Sequence, residues 1–285
     1  MNKEPRKYAD ASAFRRALET RLQDISQKEG IDLTRIRREV AFDRLLARLF
    51  SESSAPWLLK GGYAMELRLR KARTTKDIDL SLPTTTPNEL KKRVLEMLQD
   101  SASKNLNDYF VFTIGTAMKG LDAAPEGGER YPVTASVAGR VFAKFHLDVG
   151  IGDAAILPTE VLEGKDWLGF AGISAIKIVS ISKEQQFAEK LHAYTLPRTD
   201  RTNTRVKDVV DMALLIRLGT LDKERLIESI HKTFDQRNTH KLPSQLPEPP
   251  SNWKSPYEEL SKECGLPWSL QETIQIIGSY ITKVT

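Results

Sequence analysis

The chain has 285 residues, 40% of them hydrophobic and 28% charged, which suits an ordinary globular protein of one large domain or two modest ones. Lys and Arg number 43 against 38 Asp and Glu, a net charge of +5, so the surface is mildly basic and suits a phosphate-bearing partner without requiring one. One cysteine excludes an internal disulfide and points to a reducing, cytoplasmic setting; the charged start MNKEPRKYADASAFRR is no secretory signal, and no run reaches the ~18 apolar residues of a membrane span.

Apolar residues at three- and four-residue spacing predict a helix over 11–28 (Phe14, Leu18, Leu22, Ile25). A second helix, capped by Thr34, carries Ile36, Val40, Leu45 and Leu49. WLLKGG (57–62) reads as a buried strand or turn, followed by a short helix over Tyr63–Leu69. Asp77–Leu82 reads as a strand ended by Pro83, and Pro87 opens a helix with Leu90, Val94, Leu95 and Leu98. Segments 109–117, 131–139 and 141–150 are rich in β-branched and aromatic residues and predict strands, with a flexible loop GLDAAPEGGER between the first two.

From Ser182 the pattern is helical. Ser182 and Gln185 form a capping pair before Phe187, Leu191 and Tyr194; 206–218 follow, stopped by Gly219; Asp222 caps a third helix with Leu226, Ile230 and Phe234. Pro243, Pro247, Pro249, Pro250 and Pro256 predict a non-helical strap, and a last helix spans 269–283. The expected fold is α/β (α+β): a mixed sheet flanked by helices in a domain 1–165 with N-terminal helices, then a mainly helical domain 166–285.

The chemistry concentrates in 57–82. In a strand, Asp77 and Asp79 emerge on one face while Ile78 and Leu80 point inward. Two carboxylates ~7 Å apart along a strand repel unless a cation lies between them. Magnesium suits such a pair, since it binds a few carboxylates together with substrate phosphate oxygens and supports in-line phosphoryl displacement. Gly61 and Gly62, fourteen residues before Asp77, let backbone N–H groups at a helix start approach a triphosphate, with Lys60 at the same mouth. The plainer alternative is a tight turn and a solvated strand end.

Three more candidates lie downstream. Lys190 sits at the edge of a buried helical stripe, where it either snorkels to water or meets an anion. Asp208 and Asp211 share a helix face, and Lys207 with Asp211 has the spacing of a surface ion pair. In FAKFHLDVG, Phe142, Lys144, His146 and Asp148 fall on one strand face opposite Ala143, Phe145 and Leu147; Asp148 is either a third acid or a strand-end aspartate before Gly150. His146, His192, His231 and His240 show no zinc-ligand spacing with cysteine, and there is no G-x-x-x-x-G-K-[ST] or G-x-S-x-G; Cys264 has no nucleophile signature.

KGGYAMELRL–RTTKDIDLSL closely resembles the first motif of the AbiEii/AbiGii toxin family of DNA polymerase β-like nucleotidyltransferases, and AEKLHAYTLPRTDRTNTRVKDVVDMALL (188–215) resembles its later motif. The order and spacing of both blocks match over about 57–215; the glycine-to-aspartate interval is longer than in the wider superfamily and like that of the AbiEii branch. The resemblance implies a polymerase β-like lobe and a helical C-terminal lobe with the active site between them. It assigns magnesium to Asp77 and Asp79, the NTP triphosphate to Lys60, Gly61, Gly62 and Lys190 beside Asp208, and an orienting role to Asp211. Asp148 fits the third acid that such sites commonly take from a neighbouring strand, activating the acceptor hydroxyl. It further implies transfer of NMP to the 3′ end of tRNA by the toxin of a toxin–antitoxin (abortive-infection) pair whose antitoxin is encoded separately. Arg198, Arg201, Arg205 and Lys207 are candidates for RNA phosphates. The alternatives are transfer to a protein side chain or small hydroxylated compound, or a nucleotide- or RNA-binding module without catalysis.

Overall fold

The computed structural model describes residues 8–69, 72–121, 124–198 and 202–284. Helices α1 (Ala11–Glu29) and α2 (Leu33–Leu49) bury the stripes Phe14–Leu18–Leu22 and Ile36–Val40–Leu45–Leu49 against each other and the sheet below. Asp10 and Asp32 cap them, accepting from the backbone N–H of Ala13 at 2.7 Å and of Arg35 at 2.8 Å. Asp32 thus replaces the expected cap Thr34, because its carboxylate reaches the third helical N–H and adds charge favourable to the helix dipole.

Strand β1 (Leu58–Lys60) runs straight into α3 (Gly61–Arg68), and β2 is Asp77–Pro83. The helix expected after Pro87 is two pieces, α4 (Asn88–Lys91) and α5 (Val94–Ala102), and the second turns Val94, Leu98 and Ala102 into the core. There follow β3 (Phe110–Ile114), β4 (Lys119–Gly120), β5 (Gly128–Val137), β6 (Arg140–Asp153), β7 (Glu160–Glu163) and β8 (Lys177–Ser180). They form one mixed sheet in the order β3-β5-β6-β2-β1-β8-β7, with β4 beside β5. β1 and β2 are antiparallel, whereas β2–β6 and β1–β8 are parallel. β7 and β8, too short to show periodicity, stand on either side of the residue 165 boundary expected from sequence, and both belong to this sheet.

The helical part comprises α6 (Lys183–Thr195), α7 (Val206–Leu218), α8 (Lys223–Arg237), α9 (Lys254–Cys264) and α10 (Leu270–Val284). Ser182 and Asp222 cap α6 and α8 as expected, and Gly219 ends α7 at φ 68°. α9 overturns the reading of Pro256 as strap: the proline occupies its first turn, where a missing N–H has no helical partner to lose. One hydrophobic cluster joins α1, α2 and α5 to the sheet; a second gathers α6–α10 and takes in Met65 and Ala72, so α3 and its following loop touch both. Among the described residues no helix is long and apolar enough to cross a membrane.

Candidate active site

Strand register fixes the centre of the site. Lys60 pairs with Asp79 across β1–β2, Asp79 with Asp148 across β2–β6, and Asp148 with Arg130 across β6–β5. Residues opposite one another in a sheet share a face, so these four side chains form one row of charges in the order plus, minus, minus, plus. Two residues along, Asp77 lies opposite His146. Asp148 is therefore mid-strand, not at a strand end, because β6 runs on to Asp153. A bulge at Ala135/Ser136 shifts the register after Ala143, which sends Phe142 into the core with Phe110 and leaves Lys144, His146 and Asp148 on the polar face. The sequence pattern had put Phe142 with them.

The glycine pair has a steric reason. Gly61 has φ +67°, and a Cβ there would fall 1.9 Å from Asp79 Oδ2; one on Gly62 would lie 2.6 Å from Thr75 Oγ1. The Gly62 N–H at the start of α3 donates to the Asp79 carboxylate. Even so, burial, and after it the neighbouring Asp148, push the Asp79 carboxyl up to about 6 against Lys60 and Lys190. Asp77 is half-buried, with Oδ1 3.2 Å from His146 Nδ1 and Oδ2 3.5 Å from an Arg130 nitrogen. Both oxygens of Asp148 accept from Arg130, at 2.8 and 2.7 Å.

The second sequence block closes on the first. Lys190 does not snorkel: its ammonium is buried 2.6 Å from Asp211 and 3.3 Å from Asp208. Asp211 is fully buried on α7, and Arg73 donates to it through Nε at 3.0 Å and Nη2 at 2.8 Å. The expected Lys207–Asp211 surface pair is not formed, since Asp211 lies on the inward stripe of α7 and Lys207 is exposed. Burial works to lower the Lys190 pKa, but Asp211 and then Asp208 outweigh it and hold it above the usual lysine range. Burial likewise works to raise Asp211, and Lys190 and Arg73 outweigh it, holding the carboxyl low.

Sequence reasoning gave Arg73 no role of its own and missed a second network. The Lys60 ammonium meets Asp153 and lies 3.6 Å from Glu189; Arg237 of α8 is 2.9 Å from Asp153 and 3.6 Å from Glu189. These cations outweigh the upward effect of burial and hold Asp153 down at about 2. Glu189 could have been flagged beside Lys190; Arg237 and Asp153 carry no local signal.

A cleft of about 280 Å³ brings together Lys60, Gly61, Gly62, Asp79, Lys190 and Asp208 with Arg73, Gln186, Glu189, Ala193, Thr204, Arg205, Lys207 and Arg237. Asp77 and Asp148 adjoin Asp79 outside this lining, and Asp211 reaches it only through Lys190 and Arg73. Of the RNA candidates, Arg205 and Lys207 line the cleft, Arg198 turns back onto the carbonyls of Leu196 and Ala193, and Arg201 lies outside the described residues. Cations outnumber carboxylates in the lining, which suits a polyphosphate.

The donor set fits a hard divalent ion. It is all oxygen, and Asp79, raised first by burial and then by the neighbouring Asp148, is a carboxylate whose charged form a cation would favour. Among the described residues no three His, Cys, Asp or Glu side chains are drawn together as a ready cage, because Asp148 and Asp77 face Arg130 and His146. An ion there would take Asp77 and Asp79 and complete its shell from substrate.

The family model described as the nucleotidyl transferase AbiEii toxin of type IV toxin–antitoxin systems matches residues 44–269, well over half the chain. No curated protein matches. Among solved structures, the nucleotidyltransferase toxin MenT4 from Mycobacterium tuberculosis H37Rv aligns with a TM-score of 0.59 at 15% identity, over 93% of this chain and 89% of that one, which speaks to fold alone. JHP933 from Helicobacter pylori aligns at 0.43 and 16% identity, over 89% of this chain and 95% of that one. A putative nucleotidyltransferase from H. pylori aligns at 0.42 and 16%, over 87% and 96%.

Proposed function

This chain belongs to the AbiEii nucleotidyl transferase toxin family, and from that premise we propose that it moves NMP from an NTP to the 3′ end of tRNA, with magnesium as its ion. It is a nucleotidyltransferase toxin of a type IV toxin–antitoxin system, which implies an NTP substrate and an antitoxin. The cytoplasm, which holds both NTPs and tRNA, is its proposed location. The observation that carries the reading is that Lys60, Asp79, the start of α3 and Lys190 line one cationic cleft, with Asp148 next to Asp79 in the same row of the sheet.

In this reading Lys60, Gly61, Gly62 and Lys190 hold the triphosphate, with Asp208 and the buried Asp211 fixing Lys190. Asp77 and Asp79 hold magnesium, which when bound neutralises charge on the attacked phosphate and the departing pyrophosphate. The acceptor hydroxyl oxygen bonds to the α-phosphorus as the bond to the bridging oxygen breaks, and pyrophosphate leaves carrying that electron pair. Asp148 takes the hydroxyl proton on a lone pair that its contacts with Arg130 leave open. Positioning and charge neutralisation supply most of the acceleration. We further propose that the two lobes join near Ile181, after β8, rather than at 165.

Incubation with each labelled NTP, magnesium and total RNA, resolved on a denaturing gel, tests the function. Label in a tRNA-sized band supports it; label in protein or in a small compound overturns the tRNA acceptor.

A further inference from the structure

One face of β3, β5 and β6 packs Phe110, Phe112, Val133, Phe145 and Leu147 into the core. The register turns Val111, Thr113, Thr134, Lys144 and His146 to the other face, continuous with Asp77 and Asp148. Among the described residues nothing covers it: Val111 is 65% exposed and Val141 51%, and α8 reaches β6 only at its far end, where Gln236 donates to the Gly152 carbonyl.

This face lies on a particular side of the site. An in-line displacement puts the attacking hydroxyl opposite the departing pyrophosphate. Lys60, Lys190 and Arg237 lie on the cleft side of Asp79, so the acceptor must come from the opposite side, across Asp148 and Asp77. That side is the uncovered face of β5 and β6. Its unpaired charge is complementary to a phosphate backbone: Lys144 is exposed and forms no ion pair among the described residues, while Arg130 faces the site's own carboxylates Asp148 and Asp77. Lys144 stands four residues from Asp148, or ~13 Å at the rise of a strand.

We propose that the uncovered face of β3, β5 and β6 is the docking track of the acceptor strand, with Lys144 holding a backbone phosphate one or two nucleotides from the reacting end. This rests on the reading of the acceptor as RNA. Of the residues beside the second sequence block, Arg205 and Lys207 line the nucleotide cleft instead.

The test is the full-length double variant T113E/K144E, whose two positions are exposed, beside K144Q and a distant charge reversal, K92E at the C-terminal end of α4. Binding of labelled tRNA without NTP is followed by anisotropy across salt, and KM is measured separately for tRNA and NTP. The track predicts an about tenfold weaker tRNA Kd for T113E/K144E, about threefold for K144Q, and a salt slope flatter by ~0.7 for each phosphate that is no longer neutralised. KM for tRNA should rise with them, while KM for NTP stays as in the parent and K92E binds like it. If the parent binds and labels tRNA and T113E/K144E does so equally well, the track is wrong and the functional reading stands. If NTP and tRNA KM rise together, the track is also overturned, since the face then serves the nucleotide or the fold. If the parent neither binds nor labels RNA, both fall.

Discussion

Replacing Asp211 by Asn would remove the charge at the centre of a buried network while keeping its shape. The carboxylate is fully buried and holds three nitrogens, Arg73 Nε at 3.0 Å, Arg73 Nη2 at 2.8 Å and Lys190 Nζ at 2.6 Å. Without its charge, Arg73 and Lys190 are two cations facing each other with Asp208 as the remaining counter-charge at 3.3 Å. Breaking a buried pair from one side costs about 3–5 kcal/mol, because the orphaned charge stays desolvated. At roughly 2–4 °C per kcal/mol for a chain of this size, Tm should fall by on the order of 10 °C. The depressed Asp211 and raised Lys190 make this stability present above the ordinary carboxylate pKa and below the ordinary lysine pKa, so it is constant from about pH 5 to 9. Thermal and urea unfolding at pH 7.5, with activity assayed at 15 °C where D211N remains folded, separates stability from catalysis. Leucine at both 73 and 211 should recover part of the lost Tm. A D211N protein within 2 °C of the parent would refute the reasoning, since the network would not then carry the load its geometry implies.

Asp77→Asn and Asp79→Asn should each cut transfer by about 10²–10³, as loss of electrostatic stabilisation at a reacting phosphate does, with Tm unchanged or higher for D79N because its repulsion with Asp148 ends; near-normal turnover at saturating magnesium would dismiss the two-carboxylate site. Lys190→Ala should weaken NTP binding and turnover together but cost less Tm than D211N, because Arg73 still satisfies Asp211; calorimetric titration with an NTP analogue reads the first and unfolding the second. Gly61→Ala should abolish activity in a folded protein, since φ +67° and a Cβ 1.9 Å from Asp79 Oδ2 displace that carboxylate. Away from the site, burial raises Asp43 to about 7, and burial followed by Glu39 raises Glu66 to about 7. Carboxyls that bind protons more tightly when folded stabilise most below their unfolded pKa near 4, and that stability is lost as pH rises toward 7. Tm should therefore fall from pH 5 to 8, and D43N should shrink the fall; an unchanged slope in D43N would show that Asp43 does not titrate in that range.

What was legible in the sequence was whatever local chemistry repeats. Asp77 and Asp79 were readable because a strand's period is two, and Gly61-Gly62 because a glycine pair before a helix leaves backbone N–H groups open, whereas the closeness of Gly61 to the Asp79 carboxylate shows only in the fold. Ser182, Asp222 and Gly219 announced their helix ends for the same local reason. β7 and β8 gave no signal because four residues carry too little periodicity, and Pro256 misled because a proline in a first helical turn resembles a proline in a loop. Lys60 stands out beside the glycine pair, but its partners Asp153 and Glu189, and Arg237 that shares them, come from β6, α6 and α8, and only the folded chain aligns them.

The sequence assigned residues of both blocks to one triphosphate, and the structure shows the side chains that join the blocks into one electrostatic unit. Arg73, four residues before Asp77, spends its Nε and Nη2 on Asp211, and Asp211 spends its remaining capacity on Lys190. Asp208, 3.3 Å from Lys190, supplies a second counter-charge, so two carboxylates hold the two cations in place, and Lys190 and Arg73 both line the cleft. The loop that carries Arg73 is also fixed by Glu66, which accepts from the Thr75 N–H at 2.6 Å, so β2 starts from a point tied to both lobes. Movement of α7 relative to the sheet would consequently shift the cationic wall and the start of the Asp77–Asp79 strand together. Arg73→Lys, which keeps the charge but cannot make the two-nitrogen contact, should then weaken nucleotide binding although no cation is lost.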